Sequence, residues 1–204
     1  MVRSITLARP LLALGLLASI LTLPGAASAA NRKHHLSLSV GYQKYLSDDL
    51  KPIVDLGGGP TQLDFTNAGV GTLAYRFSLR PNLDLALDLR GAASKDEVGG
   101  VDVTLTSSYF GPGIRLVGAE EGVRPFVQAN LYLVDESIEF KYQNVKVTSS
   151  DNGVGFGVTA GADIRASDLI SIPIQAEFVY AKPADDVTGI GATVGITFNF
   201  GELH

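Results

Sequence analysis

The feature that most limits what this chain can fold into is a period of two. From residue 35 onward, apolar and polar residues alternate in segments of about ten, the mark of strands whose two faces meet different surroundings. Leu83, Leu85, Leu87 and Leu89 point one way, and Asp84, Ala86, Asp88 and Arg90 the other. Near the end, Ile190, Ala192, Val194, Ile196, Phe198 and Phe200 share a face against Gly189, Gly191, Thr193, Gly195, Thr197 and Asn199. Beyond the N-terminal segment no stretch approaches the roughly 18 uninterrupted apolar residues of a spanning helix. A membrane crossing by this chain therefore uses strands.

The N-terminus reads as an export signal. Arg3 and Arg9 give a positive start, Leu11 to Leu23 is almost wholly apolar, and Ala27-Ser28-Ala29 offers a small-x-small cleavage site. The expected division is a cleaved leader at 1–29 and one domain at 30–204. The domain carries 14 basic against 21 acidic residues, a net −7, so nucleic acid is not an expected partner. There is no cysteine, so packing and hydrogen bonds hold it together.

Eight strands are predicted, near 35–45, 68–79, 82–92, 101–116, 124–134, 153–165, 169–180 and 188–200. In the fourth, Val101, Val103 and Leu105 are odd while Ile114 and Leu116 are even. That change of parity predicts a bulge at Gly111-Pro112-Gly113. The connections alternate in length, with long ones at 46–67 and 135–152, medium ones at 94–100 and 182–187, and tight ones at 80–82, 118–122 and 166–168. Tight turns at one rim and longer loops at the other suit an outer-membrane barrel.

Spanning strands must close into a ring, because an unpaired backbone group facing lipid costs several kcal/mol. The expected fold is all-β, an eight-stranded antiparallel up-and-down transmembrane β-barrel whose narrow interior is filled by side chains. A soluble lipocalin-like barrel has the same strand count with its apolar face inside. Charges of both signs and frequent glycine on the polar faces favour the membrane form. Arg76, Arg90, Arg115 and Arg165 are expected to pair in the lumen with Asp84, Asp88, Asp163 and Glu177, since buried charges need partners. Tyr42, Tyr45, Tyr75, Phe77, Tyr109, Phe126, Tyr132, Phe178, Tyr180, Phe198 and Phe200 are assigned to the interfacial girdles.

The run Tyr109-Phe110-Gly111-Pro112-Gly113-Ile114-Arg115-Leu116, followed by Val123-Arg124-Pro125-Phe126-Val127-Gln128-Ala129, resembles the middle of OmpA-like and OmpX-like β-barrel domains. Gly195-Ile196-Thr197-Phe198-Asn199-Phe200 resembles their closing strand. The resemblance implies an outer-membrane location, and as partners the membrane's lipid and lipopolysaccharide and, during biogenesis, the assembly machinery. Family members commonly end on the final aromatic residue, whereas Gly201-Glu202-Leu203-His204 follow here.

The residues offer little chemistry. A catalytic barrel, such as those that modify lipid A, resembles its kind in placing a His near a Ser or an acid. His34 and His35 stand before the first strand and His204 is terminal, so all three read as solvated. Asp84 and Asp88 fit lumen pairing as well as acid–base work. No His or Cys cluster has metal-ligand spacing, and no cofactor motif is present. Acidic loop residues at Asp48, Asp49, Asp55, Asp96, Glu97, Asp135, Glu136, Glu139, Asp185 and Asp186 read as solvated surface, with divalent-cation binding the lesser reading. Gly57-Gly58-Gly59-Pro60 reads as a loop tip rather than a phosphate-binding loop.

The expected function is that of a non-catalytic barrel presenting extracellular loops, in surface structure, adhesion or envelope integrity. The loops at 46–67 and 135–152 are the expected place for an extracellular ligand. The alternatives are a narrow channel for small solutes and a soluble periplasmic carrier.

Overall fold

The computed structural model describes residues 34–47, 53–55, 60–118, 122–143, 145–183 and 186–201. The expected leader, Gly57 to Gly59, Asp48, Asp49, Asp185 and His204 lie outside them. Every regular element among the described residues is a strand: β1 (His34–Tyr45), β2 (Ile53–Asp55), β3 (Pro60–Gln62), β4 (Asn67–Arg80), β5 (Leu83–Val98), β6 (Val101–Val117), β7 (Val123–Tyr142), β8 (Val145–Arg165), β9 (Ile170–Lys182) and β10 (Val187–Phe200). Apart from the small β2–β3 pair, each strand bonds to its sequence neighbours, and β1 bonds to β10 to close an eight-membered ring. All pairings are antiparallel.

The parity of the sequence sets what faces where. Leu38, Val40, Val127, Leu131, Leu133, Ile174 and Ile196 point outward and are exposed, whereas Asp84, Asp88, Arg90 and Glu177 point into the ring and are buried. On β7 the outward apolar residues run from Val123 to Leu133. Eleven strand residues rise about 36 Å at roughly 3.3 Å each, and at a tilt of about 40° this covers the ~25 Å apolar band of a membrane barrel. At the rim bearing the chain ends, the His34 ring packs against Tyr75, Phe77 and Phe200 at centroid distances of 6.0, 5.3 and 5.6 Å. Nearer the other rim, Phe156 packs against Phe178 and Tyr180.

Three expectations need correction. There is no bulge in β6, whose register with β5 runs unbroken from Leu83↔Leu116 to Val98↔Val101. Val103 and Leu105 instead point inward and are fully buried. What Gly111-Pro112 does produce is a gap in the β6–β7 ladder, between Phe110↔Leu133 and Gly113↔Asn130, where proline has no donor. A Cβ on Gly111 would lie 1.7 Å from the Leu131 carbonyl oxygen, so only glycine fits there.

The connection at 135–152 is also not a loop. β7 and β8 continue as a paired hairpin from Asp135↔Asn152 to Tyr142↔Val145. Likewise β5 and β6 extend to a two-residue turn at Gly99 and Gly100, with φ of 59° and 78°, the left-handed pair that a tight hairpin turn requires. The tips of β5, β6, β7 and β8 therefore form one four-stranded flap beyond the apolar band. Finally, four of the eleven girdle aromatics, Tyr45, Tyr109, Phe126 and Tyr132, are buried inside the ring.

The interior is layered. Its half nearest the chain ends is polar, and its other half is an apolar core that includes Tyr45, Val70, Val103, Leu105, Tyr132 and Val134. Leu63 and Phe65, from the chain leading into β4, are both 0% exposed within this core. Hydrogen bonds hold that segment: Tyr45 N–H to Thr66 O at 2.7 Å, Asp64 N–H to Asp96 Oδ2 at 2.7 Å, and Thr66 N–H to Asp64 Oδ1 at 2.9 Å. It acts as a stopper in the loop-side mouth.

Gly111→Ala forces a methyl group against backbone that cannot turn aside, and should lower unfolding stability by about 3 kcal/mol, measured by urea titration in lipid vesicles. Gly91→Ala, where an added Cβ meets nothing within 4 Å, should stay within about 0.5 kcal/mol of the parent.

Candidate functional site

The polar half of the lumen gathers seven of the eight charged residues singled out from the sequence. Arg90 on β5 donates through Nε to Glu177 Oε1 on β9 at 2.9 Å, and its Nη2 bonds both Glu177 and Gln43. Arg115 on β6 pairs with Asp163 on β8 and lays its guanidinium over the Phe126 ring, 3.5 Å from the centroid. Arg76 donates to Ser37 Oγ at 2.8 Å rather than to a carboxylate. Asp88 accepts at Oδ2 from Gln128 (2.7 Å) and Asn130 (3.1 Å), so amides stand where an arginine was expected. Asp84 accepts from Ser78 Oγ at 2.7 Å.

Arg165 is the exception. It lies at the rim, 56% exposed, paired with Asp168 in the turn that follows. Its position at the end of β8 puts it beyond the enclosed region, so its sequence parity alone gave a misleading assignment.

Glycines make room for these large side chains. A Cβ on Gly189 would meet Gln43 at 2.4 Å, and one on Gly157 would meet the Tyr132 ring at 2.8 Å. The lumen is consequently well filled: the mid-lumen void between Arg76, Asp88, Gln128 and Glu177 is about 10 Å³, at the lower limit for one water. A wider space of about 110 Å³ opens at the rim of the chain ends.

The histidines also differ from their expected place. Both belong to β1. His34 packs in the outer aromatic cluster and meets the Tyr75 hydroxyl at 2.6 Å. His35 is buried in the lumen, with Nδ1 2.6 Å from Asn199 Oδ1 and Nε2 3.2 Å from Ser78 Oγ. His35, Ser78 and Asp84 thus form a chain, but serine sits in the middle and gives its proton to the aspartate. In a hydrolytic triad the histidine stands between serine and acid to take the serine proton, so this arrangement lacks that chemistry. Among the described residues, no three His, Asp or Glu converge as a metal-ligand set.

The stopper residues Leu63 and Phe65 and the inward Val103 and Leu105 were missed in the sequence. For β6 the signal was present: odd parity runs without a break from Val103 through Tyr109 to Arg115. Apolar chemistry masks it, because Val103 and Leu105 face inward while Ile114 and Leu116 on the same strand face lipid.

Arg90→Leu leaves the Glu177 carboxylate buried without its cation, and should destabilise the folded barrel by about 3–5 kcal/mol. Arg90→Met with Glu177→Leu should recover most of that loss in the same urea titration, which separates the stranded charge from lost packing.

Sequence and structure comparisons agree with this architecture. The model of the outer membrane protein beta-barrel domain matches residues 13–200. Among curated proteins, none matches the chain. Among solved structures, the chain is similar to Neisserial surface protein A, with 14% identity, a TM-score of 0.61, and coverage of 82% of this chain and 97% of that one. It is also similar to Ail, the attachment invasion locus protein of Yersinia pestis, with 18% identity, a TM-score of 0.53, and coverage of 82% and 99%. At these identities the likeness speaks for the fold alone. The closed ring, its apolar outer band and the family match over most of the sequence lead to one conclusion: the chain belongs to the outer membrane protein beta-barrel domain family and resides in the bacterial outer membrane.

Proposed function

We propose that this protein is a non-catalytic outer-membrane barrel whose function lies in the surface it presents outside the cell. The observation that carries this reading is the doubly closed lumen. Paired charges fill one half, and an apolar core stoppered by Leu63 and Phe65 fills the other. A water path for solutes has to break both, which argues against the channel. A soluble carrier is disfavoured by the outward band of Leu, Ile, Val and Phe, which water would leave unsatisfied.

Short turns and chain ends mark the periplasmic rim of such barrels, so the flap stands on the extracellular side. It is a rigid continuation of four barrel strands, with a polar outer face bearing Thr104, Glu139, Lys141 and Lys146. Its inner face bears Ile138, Phe140, Tyr142, Val145 and Val147, the last three at least half exposed. From Val145 to Gly153, β8 pairs only with β7, since β9 joins at Val154↔Lys182. An open edge beside exposed apolar side chains is the means by which sheets recruit an extended partner strand. Adhesion to a protein surface is the role that this geometry supports best. Ail, of similar architecture, was crystallised with the heparin analogue sucrose octasulfate. The tips of this flap carry Asp96, Glu97, Asp102, Asp135, Glu136, Glu139 and Asp151 against Lys95, Lys141 and Lys146, a balance that disfavours a polyanion.

Two measurements test the reading. Purified protein in planar bilayers should show no steady single-channel steps; steps that Thr193→Trp abolishes would establish the channel instead. Cells expressing a variant with residues 139–148 replaced by a two-residue turn should keep a heat-modifiable barrel yet lose at least tenfold in adhesion to host-cell or matrix protein surfaces. Unchanged adhesion would remove the flap from the function.

A further inference from the structure

The cavity of about 110 Å³ at the periplasmic rim is lined by four arginines, Arg76, Arg115, Arg124 and Arg165, and three aspartates, Asp84, Asp163 and Asp168. Each aspartate is already engaged: Asp163 by Arg115, Asp168 by Arg165, and Asp84 by the Ser78 hydroxyl. Two of the arginines hold only neutral partners. Arg76 reaches Ser37 Oγ and Arg124 reaches the Pro81 carbonyl at 3.2 Å. Among the described residues, neither has a carboxylate within ion-pair distance. The arginines of the lining therefore outnumber its aspartates by one.

The polar atoms without partners match this imbalance. Arg76 Nε and Arg115 Nε are buried donors that lack an acceptor, and Asp163 Oδ1 is a buried acceptor that lacks a donor. Arg76 and Arg115 are 3% and 1% exposed. An occupant that completes the set needs several acceptor oxygens directed toward separate guanidinium groups and one hydroxyl directed at a carboxylate. A tetrahedral oxyanion that retains a proton has both, and guanidinium groups suit such oxygens well. The cavity has room for one such group together with residual water.

We propose that the periplasmic mouth of the barrel is a binding site for a protonated phosphate, either inorganic phosphate or a phosphate monoester. Arg76, Arg115 and Arg124 receive its oxygens, and Asp163 Oδ1 accepts its P–OH. The carboxylate makes the site selective. Sulfate has the same shape and no proton to donate at neutral or mildly acidic pH, so it meets Asp163 with lone pairs alone. A phospholipid headgroup is a diester, which also lacks the hydroxyl. The site thereby separates free phosphate from the phosphate of the surrounding leaflet.

The test is calorimetric titration of the full-length folded protein in phosphate-free maltoside micelles at pH 5.5, below the second pKa of a phosphate monoester, about 6. Inorganic phosphate should give saturable binding at least tenfold tighter than sulfate. Arg124→Gln, at the half-buried rim, should weaken phosphate binding tenfold or more, and Asp163→Asn should erase the preference over sulfate. Heat modifiability confirms that each variant is folded, and should Asp163→Asn fail to fold, the parent's phosphate-to-sulfate ratio and Arg124→Gln still decide. Absence of saturable binding, equal affinity for sulfate, or an unaffected Arg124→Gln variant overturns the proposal. Displacement of inorganic phosphate by phosphatidylglycerol doped into the micelles overturns it as well, because a diester could then fill the site without a P–OH.

Discussion

Everything in this molecule depends on the obligation of each backbone N–H and C=O to find a partner where no water is available. Seven hairpin pairings between sequence neighbours meet that obligation for all strands but the first and last. The twelve residue pairs between β1 and β10, from His34↔Phe200 to Tyr45↔Gly189, meet it for those two. With the ring closed, side chains no longer carry the task of satisfying the main chain. They are free to specialise by face.

That specialisation follows two boundaries. One separates outside from inside, and the strict alternation on β5 and β10 enforces it. The second runs across the lumen and separates ionic from apolar filling. Glycines such as Gly157 and Gly189 give space to Tyr132 and Gln43, and below the boundary arginines reach carboxylates on other strands. Above it, the strands leave the apolar band, and their inward side chains pack as in the core of a soluble protein, sealed by Leu63 and Phe65. Aliphatic side chains are thus on the lipid face in the membrane and on the opposite face beyond it.

This exchange of faces explains what could be read from the sequence. The strand count, the ring and the inward charges on β5, β8 and β9 were legible because a residue's parity and its chemistry agree within the band. On β6 they disagree, since Val103 and Leu105 keep the parity of Arg115 while sharing the chemistry of Ile114. Alternation alone cannot report at what height the surroundings change. Arg165 was misplaced for the same reason at the opposite rim. Partners on distant strands were not legible either: whether Asp88 meets an arginine or the amides of Gln128 and Asn130 depends on the stagger of the ring. His35 stood at the expected start of its strand and read as solvated, but the strand begins at His34, and His35 shares the inward, buried face of Ser37 and Ser39.

The ion pair between Arg90 and Glu177 joins strands that stand four places apart in a ring of eight, which is diametrically. Main-chain bonds fix the perimeter of such a hoop but leave its outline free to flatten into an ellipse. A strut across the diameter removes that freedom, and Arg115 to Asp163 adds a shorter chord nearer the mouth. The diametral strut cannot form in a sheet that is still open and flat, because β5 and β9 then lie far apart, whereas the chord from β6 to β8 spans β7 alone. Formation of the Arg90–Glu177 pair therefore rewards the final circularisation itself, and makes the last seam to close also the moment at which the cross-section becomes round and stiff.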